Sequence, residues 1–399
     1  MDKYRKIHQQ TIERPSFMRT NEFIQAKLFR SDLTSLTFEM GPNCKQRCFH
    51  CGSNCGPERR GLPTPDVAIA TLAGAIHTNV SKVSLTNGEP LREENKSTLE
   101  EIGKFANLFP TYVISNGIFA QTRESAVEWL TYLKKVGFDY PRNRGCLNVS
   151  FGEMYPTTTE HWRNILTSVQ EVFPRQDPGR IVLFRHVGFF REEDRLRVNS
   201  LLEVIKETLG KRRSERIDAQ RDPGSINIWA YPLKGTPIKV DFNPCGPWGR
   251  AADNPLFNES YPVRTLAPKD LSIPFDDART FAVFYNGDVC FSDCTSDIER
   301  NLPYGNTTRE PLSVILSKIR SDVFFQAYKL GGDALLYYAA QKKDPRFIVE
   351  GRSKWHVRKA IFGNRKLIDK IRDYFSKEGV VDSYKEFMDS VDMGDRGLV

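Results

Sequence analysis

CKQRCFHCGSNC, residues 44–55, places four of the chain's eight cysteines within twelve positions. The spacing is Cys44, three residues, Cys48, two residues, Cys51, three residues, Cys55. In a chain without secretory features, thiols packed this closely point to metal rather than to a disulfide framework. A zinc knuckle pairs two Cys-x-x-Cys-like units across a longer insertion, whereas four cysteines in one short loop suit an iron–sulfur cluster better. The loop directly follows a strand-like run, SLTFEM (35–40), with Gly41, Pro42 and Asn43 between them. In parallel α/β folds such loops lie at the C-terminal edge of the strands, where active sites gather.

Outward from this loop, short apolar runs alternate with helical patterns as far as about Tyr231. The strand-like runs are SLTFEM, KVSLT (82–86), TYVIS (111–115), CLNVSF (146–151), RIVLF (180–184) and SINIWAY (225–231). Between them TPDVAIATLAGAIH, KSTLEEIGKFANLF, RESAVEWLTYLKKVG, TEHWRNILTSVQEVF and RLRVNSLLEVIKETLG carry apolar residues at helical spacing. Strands alternating with helices predict a parallel sheet of βαβ units. Six such strands make an open doubly wound sheet or a partial barrel, and periodicity does not separate the two.

Beyond Pro232 the texture changes. Residues 232–280 are rich in Pro, Asn and Gly, FAVFYNGDVCF (281–291) reads as a hairpin turning at Asn286-Gly287, and from about Pro311 the pattern is helical. The expected organisation is an N-terminal extension (1–34), an α/β unit (35–234), a small α+β unit (235–330) and a helical C-terminal extension (331–399).

The 399 residues are 39% hydrophobic and 27% charged, ordinary for a globular protein. No apolar run approaches the roughly 18 residues needed to span a bilayer, and the first residues lack the apolar core of a signal peptide. A cytoplasmic protein without a membrane partner is expected. The net charge of +8 is concentrated: Gln341–Asp373 holds eleven Lys or Arg against four acids. Such a stretch is either a solvated helix face or a surface for nucleic acid or an acidic substrate. It lacks the aromatic interleaving of single-strand binders, so a nucleic-acid partner is not expected.

Cys-x-x-x-Cys-x-x-Cys after the first strand of a six-strand α/β array resembles the radical S-adenosylmethionine (SAM) superfamily. The resemblance implies a partial (β/α)6 barrel in which Cys44, Cys48 and Cys51 bind three irons of a 4Fe–4S cluster. The fourth iron stays open for the amino and carboxylate groups of SAM, so Cys55 is expected not to ligate it. His50 takes the place of the aromatic residue usual before the third cysteine, near the adenine. The second strand ends in TNGEPL, and Asn87, Gly88, Glu89 and Pro90 are similar to the family's Gly-Gly-Glu-Pro turn, which meets the methionine amino group. Here Asn87 replaces the first Gly. Ser115 and Asn116, in Ser-Asn-Gly after the third strand, and Ser150, at the end of the fourth, match positions that contact SAM.

Cys245 in NPCGPWGRAADN, and Cys290 and Cys294 in NGDVCFSDC, resemble the auxiliary-cluster extensions called SPASM and, when shortened, twitch. Three cysteines allow one further iron–sulfur cluster, expected to be 4Fe–4S. Its fourth ligand would be Cys55, Cys146, an acid such as Asp293 or Asp297, or an open site. Cys146, opening the fourth strand, reads as a buried core thiol or, beside the SAM site, as a hydrogen-atom donor. Arg185 and His186, late in the fifth strand, are candidates for the barrel mouth.

The activity implied is reductive cleavage of SAM to a 5′-deoxyadenosyl radical that abstracts a hydrogen atom from substrate. Oxidation, epimerisation or bond formation would follow in a biosynthetic tailoring pathway, with electrons from a donor such as flavodoxin or ferredoxin. Relatives of this type act on peptides, proteins and small metabolites. With 34 residues before the first strand, against the roughly 80 of a leader-binding domain, a small-molecule or leader-independent substrate is expected. A peptide or protein maturase is the alternative within the superfamily. Outside it, the alternative is a non-catalytic iron–sulfur or zinc protein that binds nucleic acid.

Overall fold

The computed structural model describes residues 33–48, 51, 53, 55–138, 145–152, 155–188, 192–210, 217–218, 226–230, 238–244, 262–271, 279–291 and 301–396, with a few positions from 22 to 28. The first half alternates β1 (Ser35–Glu39), α1 (Pro65–Ile76), β2 (Lys82–Thr86), α2 (Lys96–Phe105), β3 (Thr111–Ser115), α3 (Arg123–Val136), β4 (Cys146–Phe151), α4 (Thr159–Val172), β5 (Val182–Gly188) and α5 (Glu192–Leu209). Local chemistry sets the helix ends. The Thr64 side chain accepts from the Val67 N–H with Pro65 at the first helical position, and Thr122 caps α3 through the Ser125 N–H.

Six strands run parallel in the order β1-β2-β3-β4-β5-β8, β8 being Ile238–Pro244. Their register divides the sheet into two faces. One carries Leu36, Phe38, Val83, Leu85, Val113 and Leu147, all at most 1% exposed. The helices cover this face, as where Trp162 of α4 meets Phe151 edge-on with ring centroids 5.3 Å apart. On the other face Thr37 lies opposite Ser84, Ser84 opposite Tyr112, Tyr112 opposite Cys146, Ser150 opposite Arg185 and Arg185 opposite Asp241. This face, the lumen side, is polar and partly open. The fold is α/β, a mostly parallel sheet with helices against its apolar face.

The sixth parallel strand is not SINIWAY. β7 (Ile226–Ala230) instead pairs antiparallel with β8 and with the short β6 (Ile217–Asp218). β8 escapes a search for apolar runs because Lys239 and Asp241 occupy its lumen face and Pro, Gly and Asn surround it. β10 (Thr280–Val283) pairs in parallel with β1, and β11 (Asp288–Phe291) and β12 (Gly305–Asn306) extend the same sheet. A second, two-stranded sheet joins β9 (Arg264–Leu266) to β13 (Val349–Gly351).

The C-terminal helices are α6 (Leu312–Ser321), α7 (Val323–Lys343), α8 (Lys354–Phe362), α9 (Arg365–Glu378) and α10 (Val380–Arg396). They pack around α7, buried from Phe324 to Ala340. Phe291 of β11 joins this core against Phe325 and Tyr328, at 5.0 and 5.2 Å between ring centroids. The basic stretch is held largely by internal pairs. Arg358 donates to Asp333 at 3.0 Å with both side chains 3% exposed, Arg372 lies 2.6 Å from Asp322, Lys342 2.7 Å from Glu386 and Lys343 3.0 Å from Asp373. Among the described residues no helix is long and apolar enough to cross a membrane.

Candidate active site

The cysteine loop leaves β1 at the C-terminal edge of the sheet and folds back on itself. The Cys44 N–H donates to the Gly56 carbonyl at 3.2 Å and the Gly56 N–H to that of Pro42 at 3.1 Å. The turn after β2 lies directly against it. A Cβ at Gly88 would fall 2.2 Å from the Gly41 carbonyl oxygen and 2.6 Å from that of Asn43, so only glycine allows this approach. Asn87 has φ +63° and Gly88 φ +64°, two successive left-handed residues. Asparagine is among the few residues that tolerate this region, which accounts for Asn87 at that position.

The loop and turn are also tied by side chains. Arg92, 8% exposed, donates to the Asn43 carbonyl at 2.9 Å and is neutralised by Glu94 at 2.8 Å. Asn95, fully buried, donates to the carbonyls of Glu89 (3.1 Å) and Pro90 (3.2 Å). The Ser53 hydroxyl donates to Asn87 Oδ1 at 2.5 Å, and the Gly88 N–H donates to Cys55 Sγ at 3.1 Å.

Glu89 is the buried acid of the site. Its carboxylate accepts from the Asn116 N–H at 2.8 Å and the Leu91 N–H at 3.0 Å, with Ser115 alongside. Burial outweighs these donors and pushes the carboxyl up to about 7. The structure thus brings Glu89, Ser115 and Asn116 together against the cysteine loop. Ser150 ends β4, one strand further along the same edge, and is 7% exposed.

The chemistry of the donor set fits an iron–sulfur cluster. The Gln46 N–H points at Cys44 Sγ at 3.4 Å and the Cys55 N–H at Cys51 Sγ at 3.2 Å, contacts that favour thiolate ligands. Burial pushes the Cys44 thiol up to about 12, so binding metal must displace a proton there. Cys55 is 3% exposed and its thiol is held well above the usual range, first by the adjoining Cys51 and then by burial. Among the described residues no three His, Cys, Asp or Glu side chains are grouped as ligands of a single ion. His50, Cys245, Cys294, Asp293 and Asp297 lie outside the described residues. Cys290 is 1% exposed in β11, opposite Ala282 of β10, on the sheet face that carries Thr37 and Glu39 of β1.

Two placements depart from expectation. Cys146 is half-buried on the polar face rather than in the apolar core. It starts β4, at the strand end opposite the cysteine loop, where Tyr112 is its cross-strand partner. Burial pushes its thiol up to about 11, with Arg185, Asp241 and Lys239 nearby. Arg185 faces the lumen, 3.4 Å from Asp241, but His186 faces the helices, 4.9 Å from the Phe151 ring centroid and 3.3 Å from Asp194. Burial pulls His186 down to about 3 and keeps it neutral. Alternation along one strand separates the neighbours.

Sequence reasoning missed Glu39, Arg92 and Asn95. Glu39 is fully buried at the end of β1, and its carboxylate accepts from the Tyr285 N–H at 3.1 Å, joining the cysteine loop's root to the β10–β11 hairpin. A lone acid in the apolar run SLTFEM was the available signal. Arg92 and Asn95 lie in an ordinary polar stretch and offered none.

No family model and no curated protein matches the chain. Among solved structures it is similar to SuiB of Streptococcus suis bound to its precursor peptide SuiA, at 16% identity over 75% of this chain and 70% of that one, with a TM-score of 0.42. BtrN in complex with AdoMet and 2-DOIA is similar at 13% identity over 75% and 88%, with a TM-score of 0.40. Coproporphyrinogen III oxidase (HemN) from Escherichia coli, a radical SAM enzyme, is similar at 14% identity over 46% and 45%, with a TM-score of 0.29. The chain itself has six parallel strands in order, with a cysteine loop after the first and a Gly-Glu-Pro turn after the second.

Proposed function

We propose that this chain is a radical SAM enzyme that removes a hydrogen atom from a small-molecule or peptide substrate in a tailoring reaction: oxidation, epimerisation or bond formation. The observation that carries this reading is the interlocking of the cysteine loop with the Asn87–Pro90 turn, at the C-terminal edge of strands whose open face is polar. Cys44, Cys48 and Cys51 would hold the 4Fe–4S cluster, which when bound supplies the electron that splits SAM. Glu89, once ionised, offers a carboxylate to the methionine ammonium, while Gly88 lets the backbone approach. The lumen, with Asn148, Arg185, Lys239 and Asp241 on its polar face, orients the substrate and limits water, so that the reacting carbon is held close. Cys245, Cys290 and Cys294 are assigned to one auxiliary cluster that assists electron transfer, and a flavodoxin or ferredoxin to electron delivery.

Anaerobic reconstitution followed by dithionite and SAM should release 5′-deoxyadenosine. Failure to cleave SAM would overturn the reading. Iron and sulfide for only one cluster would remove the auxiliary site, and zinc without iron would favour a non-catalytic protein.

A further inference from the structure

Cys55 and Ser53 lie between the two halves of the site. The Cys55 N–H donates to Cys51 Sγ at 3.2 Å while Cys55 Sγ accepts from the Gly88 N–H at 3.1 Å. Two residues earlier, the Ser53 hydroxyl donates to Asn87 Oδ1 at 2.5 Å. Both contacts reach the two residues of the turn that hold left-handed backbone, Asn87 and Gly88, the conformation most in need of outside support. Cys55 is 3% exposed, and removing its thiol takes this acceptor from the Gly88 N–H.

Granting that Cys44, Cys48 and Cys51 hold the cluster, we propose that Ser53 and Cys55 form a clasp that transmits the state of the cluster loop to the SAM-binding turn. Cys55 is a positioning residue and not a ligand: its sulfur accepts the Gly88 N–H, and its N–H supports the thiolate of Cys51. Cluster assembly and SAM affinity are therefore coupled, and by linkage SAM stabilises the loaded loop.

The test compares reconstituted wild type with Cys55→Ala, Cys55→Ser and Ser53→Ala. Three quantities are read: iron and sulfide per chain, SAM affinity by equilibrium dialysis, and the change SAM makes in the reduced cluster's EPR spectrum. Circular dichroism confirms that each variant is folded. Iron and sulfide should equal wild type in all three. SAM affinity should fall about tenfold in Cys55→Ala, or about 1.4 kcal/mol, and about threefold in Ser53→Ala. Cys55→Ser should recover most of the loss, because a hydroxyl oxygen accepts the same N–H. Loss of the SAM-responsive cluster in Cys55→Ala would make Cys55 a ligand, and unchanged SAM affinity would remove the clasp. Either outcome overturns the proposal. Loaded wild type that fails to bind SAM would instead overturn the functional reading beneath it.

Discussion

Along β5, Phe184 and His186 point into the helix layer, while Arg185 between them faces the open side toward Asp241. The same alternation holds along β4, where Leu147, Val149 and Phe151 are fully buried and Cys146, Asn148 and Ser150 face the lumen. A parallel sheet covered by helices on both sides reads as nearly continuous apolar runs. These strands do not, because one face holds the fold together by burying hydrocarbon while the other is polar and partly open. The comparison teaches that the two faces are separable here, strand by strand.

The sharpest way to break that separation is at the C-terminal edge of the polar side. Cys51→Ala should abolish SAM cleavage, read as 5′-deoxyadenosine release, with the far-ultraviolet dichroism unchanged. Cys55→Ala should retain cleavage at saturating SAM. On the apolar face the expectation is reversed. Phe184→Ala empties a fully buried site and should cost about 3–5 kcal/mol in urea denaturation. Were it to cost under 1 kcal/mol, the helix-facing side would not be the core.

Glu89 gives a graded effect. Because its carboxyl is pushed up to about 7, it is mostly neutral below that pH and cannot attract an ammonium. SAM affinity should therefore rise as pH climbs through about 7, by up to about tenfold per unit below it, and level off above. Glu89→Gln should flatten the profile. In the ligand-free chain the sign is opposite. The folded state keeps a proton that the unfolded chain releases from about 4.5, so Glu89 makes stability fall as pH rises from about 4.5 to 7. The smallest effect belongs to the lumen. Asn148, 4% exposed, has an Oδ1 with no hydrogen-bond partner, so Asn148→Ala should change stability by about 1 kcal/mol or less. A loss near that of Phe184→Ala would show that the polar face is structural.

Much of the fold was legible because β1 to β5 bury one strong apolar stripe each and are separated by helices with clear caps. β8 was not, since Lys239 and Asp241 replace hydrocarbon on the side that faces the lumen. The cysteine loop and the Asn87–Pro90 turn were legible as motifs of unusual residue types at fixed spacing. Arg92 and Asn95 were not, because their importance lies in which carbonyls they reach, and local sequence carries no record of that.

The sequence by itself determined an α/β chain with a four-cysteine loop after its first strand, through residue periodicity and cysteine spacing. Only the tertiary structure decided which residues share a face and which atoms meet. It turned Arg185 and His186 to opposite sides, moved Cys146 away from the cysteine loop, and set Cys55 against Gly88 across 33 positions of chain. Spacing along a chain fixes what short segments do, whereas contacts between distant segments depend on how the strands stack.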